Sequence, residues 1–432
     1  MMQDLPELTL EKPRRLVTPT RKSLLSLFQA SEARSRLWIA LEVLLIAVGA
    51  AWWAAQPHSI PGWHFALLFA VGFLGLFDFV PQVLTTNRKR LEDVRPEAKL
   101  GPHTRDSLLA AVQRVKERLG YSHRPVRVYL AKEKDVNALA MRLDLLPGWN
   151  LFNSVQLNRS IVHLLDEKEL ESVIGHELGH VFAYSPLPSR CMLIHGLLSG
   201  VLTLVIAQLL QNYEIYLGAP LFALGMVRWV AFRTWVSQIR LVEFLCDDHG
   251  ARAAGLIPAM TTEIKLGLEH EARTSLLLRV LEAKLSNATH VPIQDLLQSY
   301  EDALPFGGVR TEEARQQLEQ SIRQKLTKSD ETSLMGFFHF LKGDNTDHEA
   351  LQEQVTELRT VQRVAKVPVE LPEVLHDPRR LLEPTVHAIE SHPDRVLVRL
   401  AEEISDLGST HPNTSRRLLY LWRNRDAILR AS

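Results

Sequence analysis

Four long apolar stretches constrain this chain more than any other feature of its sequence. They contain few charges and cover residues 37–56, 61–80, 193–211 and 217–236. Each has about 20 residues, which as an α-helix spans roughly 30 Å, the thickness of the hydrocarbon core of a bilayer. Because the stretches are closely spaced in pairs, they predict four transmembrane helices in two hairpins. Buried core helices, or a signal peptide for the first stretch, are the alternatives.

Basic residues predict how these helices are oriented. Lys and Arg flank the first hairpin on both sides, whereas the turns 57–60 and 212–216 contain neither. Since basic loops stay in the cytoplasm, we expect both termini and every soluble segment to be cytosolic. The predicted location is a cell membrane, the inner membrane of a bacterium. The fourth stretch is the weakest span, because it carries Arg228 and Arg233.

Charges inside the apolar stretches predict contacts between the hairpins. Charged groups within spans usually face protein or water, because lipid does not solvate them. Glu42 and Asp78 lie in the first hairpin, and Arg228 and Arg233 lie in the second. We therefore expect the acidic residues to meet the arginines. Extension of these side chains to the lipid headgroups is the alternative.

Overall composition excludes some classes of partner. The formal net charge is zero, so the chain has no bulk electrostatic attraction to nucleic acid, and none is expected as a partner. The two cysteines, Cys191 and Cys246, are too few for a disulfide framework. Their number suits a reducing compartment.

The segment HELGH, residues 176–180, is the strongest chemical signal. Asp166 and Glu169 form a capping-box pattern, which predicts a helix beginning near Glu167. His176 and His180 are then one turn apart on one face and can bind a single metal ion. Glu177 lies between them, as in the H-E-x-x-H pattern of zinc proteases. The alternative is a pair of core histidines that bond to backbone carbonyls.

A third metal ligand is expected in the helix-forming segment 240–255. A hydrolytic zinc ion needs three protein ligands and an open position for water. Glu243 and Asp247 lie one turn apart, so Glu243 is predicted as the ligand and Asp247 as a hydrogen-bond acceptor for a ligand histidine. Asp248 and His249 are rival ligands. His249 ranks low because it lies on a different face from Glu243.

The sequence resembles the HtpX-type membrane zinc metallopeptidases, which are relatives of the CAAX prenyl proteases. Four segments carry this resemblance in order: NALA (137–140), HELGH (176–180), SQIRLVEFLCD (237–247) and STHPNTSRR (409–417). Two hairpins favour the HtpX-like branch, since prenyl proteases of this family have more spans. The chain departs from the pattern at Cys246, where the family usually has alanine. We expect Cys246 to be a packing residue, with a redox-sensitive thiol as the alternative.

The resemblance implies an α+β, predominantly helical fold with a cytosolic zincin-type (gluzincin) protease domain. It implies one zinc per chain, held by His176, His180 and Glu243, with Glu177 as the general base. His411 and Asn137 are its candidates for stabilising the oxyanion. It further implies that Arg417 positions the terminal segment and that Ala138 and Ala140 lie on an edge where an extended peptide adds as a strand. For His411 and Arg417 the alternative is an ordinary helix start with surface charges.

These expectations divide the chain into seven parts. They are a cytosolic segment (1–36), hairpin one (37–80), the first protease part (81–192), hairpin two (193–236), the second protease part (237–262), a cytosolic helical insert (263–405) and a C-terminal protease segment (406–432). The resemblance assigns no function to the insert, which is a candidate site for a protein partner.

The predicted function is zinc-dependent cleavage of membrane or misfolded proteins at the cytosolic membrane surface, as in protein quality control under stress. Its partners would be polypeptide substrates and the lipid bilayer. Two alternatives remain at this point. One is a protease for prenylated peptides, and the other is a non-proteolytic membrane protein with a regulatory metal site.

Overall fold

The structure is a computed structural model. It describes residues 18–58, 61–77, 88–131, 137–210, 217–267, 378–391 and 412–431, without the side chains at 232–237 and at some positions in 378–391. The chain forms two compact units. One comprises Thr20–Ala259 with Ala427–Ser432, and the other comprises Met1–Pro19 with Met260–Asp426.

Helices dominate the described part of the chain, as the sequence predicts. They are α1 (Arg21–Ala55), α2 (Gly62–Leu74), α3 (Arg105–Arg118), α4 (Arg159–Leu164), α5 (Glu167–Leu178), α6 (Met192–Leu209), α7 (Ala219–Ala254), α8 (Pro378–Ser391), α9 (Thr414–Arg423) and α10 (Arg425–Leu429). Residues 256–267 are also helical. Short 3₁₀ turns occur at Gly75–Phe77, Leu91–Asp93 and Pro188–Arg190, and a π-helical turn occurs at Gly179–Ala183.

The predicted membrane spans are only partly matched by these helices. Among the described residues, α1 and α6 are long and apolar enough to cross a membrane, whereas Gly62–Phe77 and Ala219–Ala231 are shorter apolar segments. Helix α1 begins well before the predicted span because Thr20 caps it, accepting a hydrogen bond from Ser23 N. Helix α7 extends far past its apolar part without interruption.

Glycines and phenylalanines govern how the apolar helices pack. A Cβ atom added at Gly196 or Gly200 of α6 would come within 2.9 Å of Phe73 or 2.5 Å of Phe69. Rings of α2 therefore fill the space that α6 leaves open. Half of the most apolar window of α6 is buried, but only 6% of that of α1. Helix α1 thus presents a broad apolar surface to its surroundings.

Glu42, a charge within an apolar helix, has a partner other than the predicted one. Glu42 of α1 lies against α6, where its Oε2 atom is 2.8 Å from Nδ1 of His195. The Nη2 atom of Arg228 donates to the carbonyl of Gly75 at 2.6 Å. The prediction that Glu42 meets an arginine of hairpin two is therefore corrected. The reason is that α1 packs directly on α6, whose first turn offers a histidine. Asp78 and the Arg233 side chain lie outside the described residues.

A four-stranded sheet lies beside the helices and has the order β1–β2–β4–β3. Its strands are β1 (Arg88–Arg90), β2 (Arg127–Ala131), β3 (Ala138–Leu146) and β4 (Trp149–Asn158). Strands β2 and β4 are parallel, and the other two pairs are antiparallel. From their β-branched and aromatic residues, segments 125–131 and 154–158 are predicted as strands; they match β2 and the end of β4, and β3 contains the residues that the resemblance predicts at an edge. Strand β3 is an edge of this sheet, and it contains Ala138 and Ala140.

In the other unit, α8 and α9 pack together. Nη2 of Arg423 lies 3.1 Å from Oε1 of Glu390, which links the ends of these helices. Asn424 Nδ2 donates to the carbonyl of Pro19 at 3.2 Å. These polar contacts accompany the packing of α8 on α9 within this unit.

Candidate metal centre

Helix α5 carries the HELGH segment and begins as predicted. Asp166 accepts a hydrogen bond from Glu169 N at 2.9 Å, and Glu169 accepts one from Asp166 N at 2.9 Å, which completes the capping box. After Leu178 the chain continues as the π-helical turn Gly179–Ala183, which contains His180. Such turns occur frequently at functional sites. His176 and His180 remain on one face, with ring centroids 4.8 Å apart.

Helix α7 approaches α5 closely because glycines line their crossing. A Cβ atom at Gly175 would lie 2.6 Å from Cβ of Ala253, and one at Gly250 would lie 2.6 Å from the Ser172 carbonyl oxygen. A Cβ atom at Gly179 would lie 2.9 Å from Sγ of Cys246. Cys246 is fully buried, so it fills the crossing as the predicted packing residue. This crossing brings Glu243 to the histidines.

Three donor atoms converge where the helices cross. The Nε2 atoms of His176 and His180 are 3.1 Å apart, and they lie 3.5 Å and 3.3 Å from the Glu243 carboxylate oxygens. Ligand atoms about 2.1 Å from a tetrahedral zinc ion are about 3.4 Å from one another. The observed spacing and the His₂Glu donor set therefore fit zinc. Within the part of the chain that the structure describes, these residues form a possible metal-binding group.

Asp247 prepares His176 for metal binding. Nδ1 of His176 lies 2.9 Å from Oδ1 of Asp247, so the hydrogen bond leaves Nε2 as the metal-facing atom. Burial opposes the charged form of His176, but hydrogen bonds to Asp247 and Glu243 outweigh it and raise the pKa of His176 to about 10. Metal binding at these residues would therefore be coupled to proton release.

Glu177 and Glu243 are both shielded from solvent. Glu177 lies between the two histidines on α5 and is 6% exposed, while Glu243 is 1% exposed. Burying a carboxylate is unfavourable unless a cation or donors compensate. A buried Glu243 beside two histidines therefore indicates a site that is built for a cation, and the buried Glu177 is adjacent to His176 along the chain.

The rival ligands Asp248 and His249 point elsewhere. Asp248 accepts hydrogen bonds of 3.1 Å from Nε of Arg21 on both of its oxygens. Nε2 of His249 lies 3.1 Å from the Tyr121 hydroxyl. Burial, followed by nearby Arg252 and His176, lowers the pKa of His249 to about 3. The sequence analysis missed Arg21 and Tyr121, because both are far from the motif along the chain.

Arg142 joins the edge strand β3 to the π-helical turn Gly179–Ala183, which is called the metal-binding turn below because it contains His180. Its Nη1 atom donates to the Val181 carbonyl, and its Nε atom donates to Asp144 at 2.6 Å. Ala138 and Ala140 precede Arg142 on the strand and are half-buried. Asn137 is exposed, and its Oδ1 atom accepts a hydrogen bond from Ala138 N at 3.0 Å. Its role at an oxyanion stays a prediction.

Arg417 is buried and pairs with Glu263, with 3.0 Å between Nη2 and Oε1. This pair joins α9 to the helix 256–267. The interpretation of Arg417 as an ordinary surface charge is therefore wrong, since the side chain is only 6% exposed. His411 lies outside the described residues, so its predicted role is not tested.

Comparison with known proteins finds similarity to metallopeptidases of the HtpX type. Residues 102–267 match Peptidase family M48. Proteins named protease HtpX homolog are similar, including one from Paenarthrobacter aurescens that is 31% identical over 192 residues, covering 43% of this chain and 59% of the relative. A second, from Kineococcus radiotolerans, is 32% identical over 152 residues, covering 32% and 49%. The chain thus spans less than two thirds of each of these relatives. No solved structure matches.

Proposed function

We propose that the chain is an integral-membrane, zinc-dependent endopeptidase, because residues 102–267 match Peptidase family M48 and the chain is similar to proteins named protease HtpX homolog. The observation that carries this proposal is the convergence of His176, His180 and Glu243, with Glu177 following His176 in the sequence. One zinc ion per chain would occupy this site. A purely structural metal site has no need of a buried carboxylate between its ligands.

The chemistry divides between the metal and the side chains around it. When bound, zinc would act as a Lewis acid that lowers the pKa of a water molecule toward about 7. Glu177 would take the proton of that water and transfer it to the leaving amine. Asp247 holds His176 in the required tautomer. Asn137 and His411 are the proposed donors to the developing oxyanion.

The substrate chain would add to the free edge of β3. An extended peptide pairs with an edge strand through its main chain, so many sequences can be accepted. Ala138 and Ala140 have small side chains, which leave room for a strand to approach. Arg142 fixes this edge relative to the metal-binding turn through its bond to the Val181 carbonyl. Arg417 would position the C-terminal segment through Glu263.

The proposed location is a bacterial inner membrane, with four spans, both termini in the cytosol and the seven-part division given above. The apolar window of α1 is nearly all exposed, which a helix in the core of a soluble protein would not be. The proposed substrates are membrane proteins and misfolded chains near the bilayer. Segment 263–405 is proposed as a binding region for a protein partner.

The substitution Glu177→Gln tests the proposed activity. It should keep zinc but lower cleavage of a quenched fluorescent peptide by about 10²–10⁴-fold, because it removes the base and not a ligand. The matched control is Glu167→Gln, which changes an exposed glutamate on the same helix and should leave both quantities unchanged. Zinc content and peptide cleavage are measured on the purified full chain in lipid.

The same assay separates the alternatives. Full cleavage by Glu177→Gln would overturn the proposed mechanism. Zinc binding without cleavage of any peptide by the unaltered chain would favour a regulatory metal site. Preferential cleavage of a farnesylated peptide over its unmodified form would favour a prenylated-peptide protease.

A further inference from the structure

The turn between β3 and β4 exposes large apolar side chains. We define residues 147–151 as the hairpin tip. Trp149 and Leu151 are each 54% exposed, and Pro147 and Gly148 are exposed as well. Gly148 has φ 90°, a conformation that favours glycine and forms the tight turn. Apolar residues clustered at a tip, as opposed to scattered singly, mark a contact surface.

Strand β3 runs from the metal-binding turn towards the start of helix α6. Arg142 contacts Val181 in the metal-binding turn. Two residues further on, Asp144 lies 3.6 Å from Nε of Arg190, and α6 begins at Met192. Along β3, Arg142 therefore lies beside the metal-binding turn, and Asp144 lies beside the segment that leads into α6.

The hairpin tip follows directly after the end of β3, beyond the contact between Asp144 and Arg190. Asn150 Nδ2 donates to Asp144 Oδ1 at 2.6 Å, so the tip is fastened to the carboxylate that faces Arg190. Trp149 pairs with Leu146, two residues beyond Asp144, which places it about 7 Å further along the strand. The tip thus lies near the end of α6 that would enter the membrane.

We propose that the hairpin tip is a membrane anchor, with Trp149 and Leu151 in the headgroup layer of the cytoplasmic leaflet. This proposal rests on the proposed membrane location. Tryptophan is favoured at this depth, because its ring is apolar and its indole N–H is polar. Lipid is the favoured occupant because the tip adjoins the entry point of α6. The anchor would hold the free edge of β3 at a fixed height above the bilayer.

Depth-dependent fluorescence quenching tests this anchor. Trp149→Cys would be labelled with an environment-sensitive fluorophore on the full chain in liposomes. The native Cys191 and Cys246 are buried and should not compete for the label. Leu44→Cys, which is 57% exposed on α1, is the lipid-embedded reference. Glu117→Cys, at an exposed position on α3, is the aqueous reference.

The anchor predicts that lipids with a nitroxide on the headgroup quench the label at position 149 severalfold more than the label at Glu117. Quenching at Leu44 by lipids with a nitroxide on the acyl chain, without headgroup-nitroxide quenching at 149, would overturn the anchor and leave the membrane location intact. A label at Leu44 that is also unquenched would instead contradict the membrane location. A spectral shift at 149 caused by a peptide substrate in detergent, without lipid, would replace lipid by polypeptide as the occupant.

A second measurement concerns activity. Trp149→Ser combined with Leu151→Ser should slow cleavage of a membrane-tethered substrate severalfold and leave cleavage of a short soluble peptide unchanged. Trp63→Ser is the matched control. Trp63 is an exposed tryptophan of α2, at the end of transmembrane hairpin one that is predicted to lie on the far side of the membrane. Equal loss on both substrates would contradict an anchoring role.

Discussion

At the scale of single residues, the metal centre depends on a ligand and on the group that orients it. Glu243 supplies a donor oxygen, whereas Asp247 acts through Nδ1 of His176. We predict that Glu243→Ala removes most of the bound zinc, because it deletes one of three ligands. Asp247→Ala should weaken zinc binding by about 10–100-fold, since the ligand histidine loses its fixed tautomer. Titration against a chromophoric chelator measures both effects.

The neighbouring carboxylate provides the control for this prediction. Asp248→Asn removes a buried charge on the same turn that pairs with Arg21 instead of a histidine. It should lower stability but preserve zinc affinity. Equal weakening by Asp247→Ala and Asp248→Asn would show that general damage to α7, and not histidine orientation, explains the loss.

At the scale of elements, the crossing of α5 and α7 sets the distance between the histidines and Glu243. We predict that Gly175→Ala lowers stability by about 1–3 kcal/mol and reduces zinc content, because the added methyl group overlaps Ala253 and separates the helices. Gly225→Ala is the control, since nothing lies within 4 Å of its added Cβ. Thermal unfolding and metal analysis of both variants test this. A Gly175→Ala chain with normal zinc content would contradict it.

The outer face of α5 is held by a cluster of charges around Glu171. Glu171 is fully buried and accepts hydrogen bonds from Arg114, Arg118 and Lys168 at 2.7–2.8 Å. Burial opposes its charged form, but the three cationic donors outweigh it and lower the pKa of Glu171 below its ordinary value of 4.5.

This lowered pKa predicts a pH dependence of stability. A carboxyl group whose pKa is lower in the folded state stabilises the protein fully above its unfolded pKa. That contribution is lost as the pH falls from about 4.5 through the folded pKa of Glu171. Glu171→Gln should be less stable at pH 7 and should lose less stability between pH 7 and pH 3 than the unaltered chain. Parallel unfolding curves for the two proteins across this range would contradict the assignment.

At the scale of the whole molecule, α7 connects the apolar region to the metal centre. Its apolar part ends at Ala231, and Glu243 follows on the same uninterrupted helix. Twelve residues of helix span about 18 Å. Helix α1 extends in the same way beyond its predicted span, and its Arg21 reaches Asp248 beside the site. These two rigid connections favour an active site close to the membrane surface.

This arrangement predicts that cleavage depends on distance from the bilayer. Substrates with one membrane anchor and a cleavage site at increasing separation should be cut best when the bond lies about 10–20 Å from the membrane. In extended chain this is about three to six residues. Gel analysis of a ladder of such substrates measures the dependence, with Glu177→Gln as the blank. Equal cleavage at every separation would contradict a site held near the surface.

The sequence alone determined much of the candidate site and the class of fold. The capping box, the paired histidines and Glu243 are patterns within single helices, where spacing decides which side chains share a face. The four segments that carry the resemblance to HtpX-type metallopeptidases are local patterns too, and the predominantly helical α+β class followed from that resemblance.

Only the tertiary structure decided what joins these local pieces. The pairing of Arg21 with Asp248 connects residues 227 positions apart, and Glu42 contacts His195 where an arginine was expected. The register of β3 on β4 came from their pairing, and the direction of the hairpin tip came from the contact between Asp144 and Arg190. The buried state of Arg417 likewise depends on Glu263. Such contacts join elements that are distant along the chain. They are determined by packing and burial, so the spacing of residues within one element does not predict them.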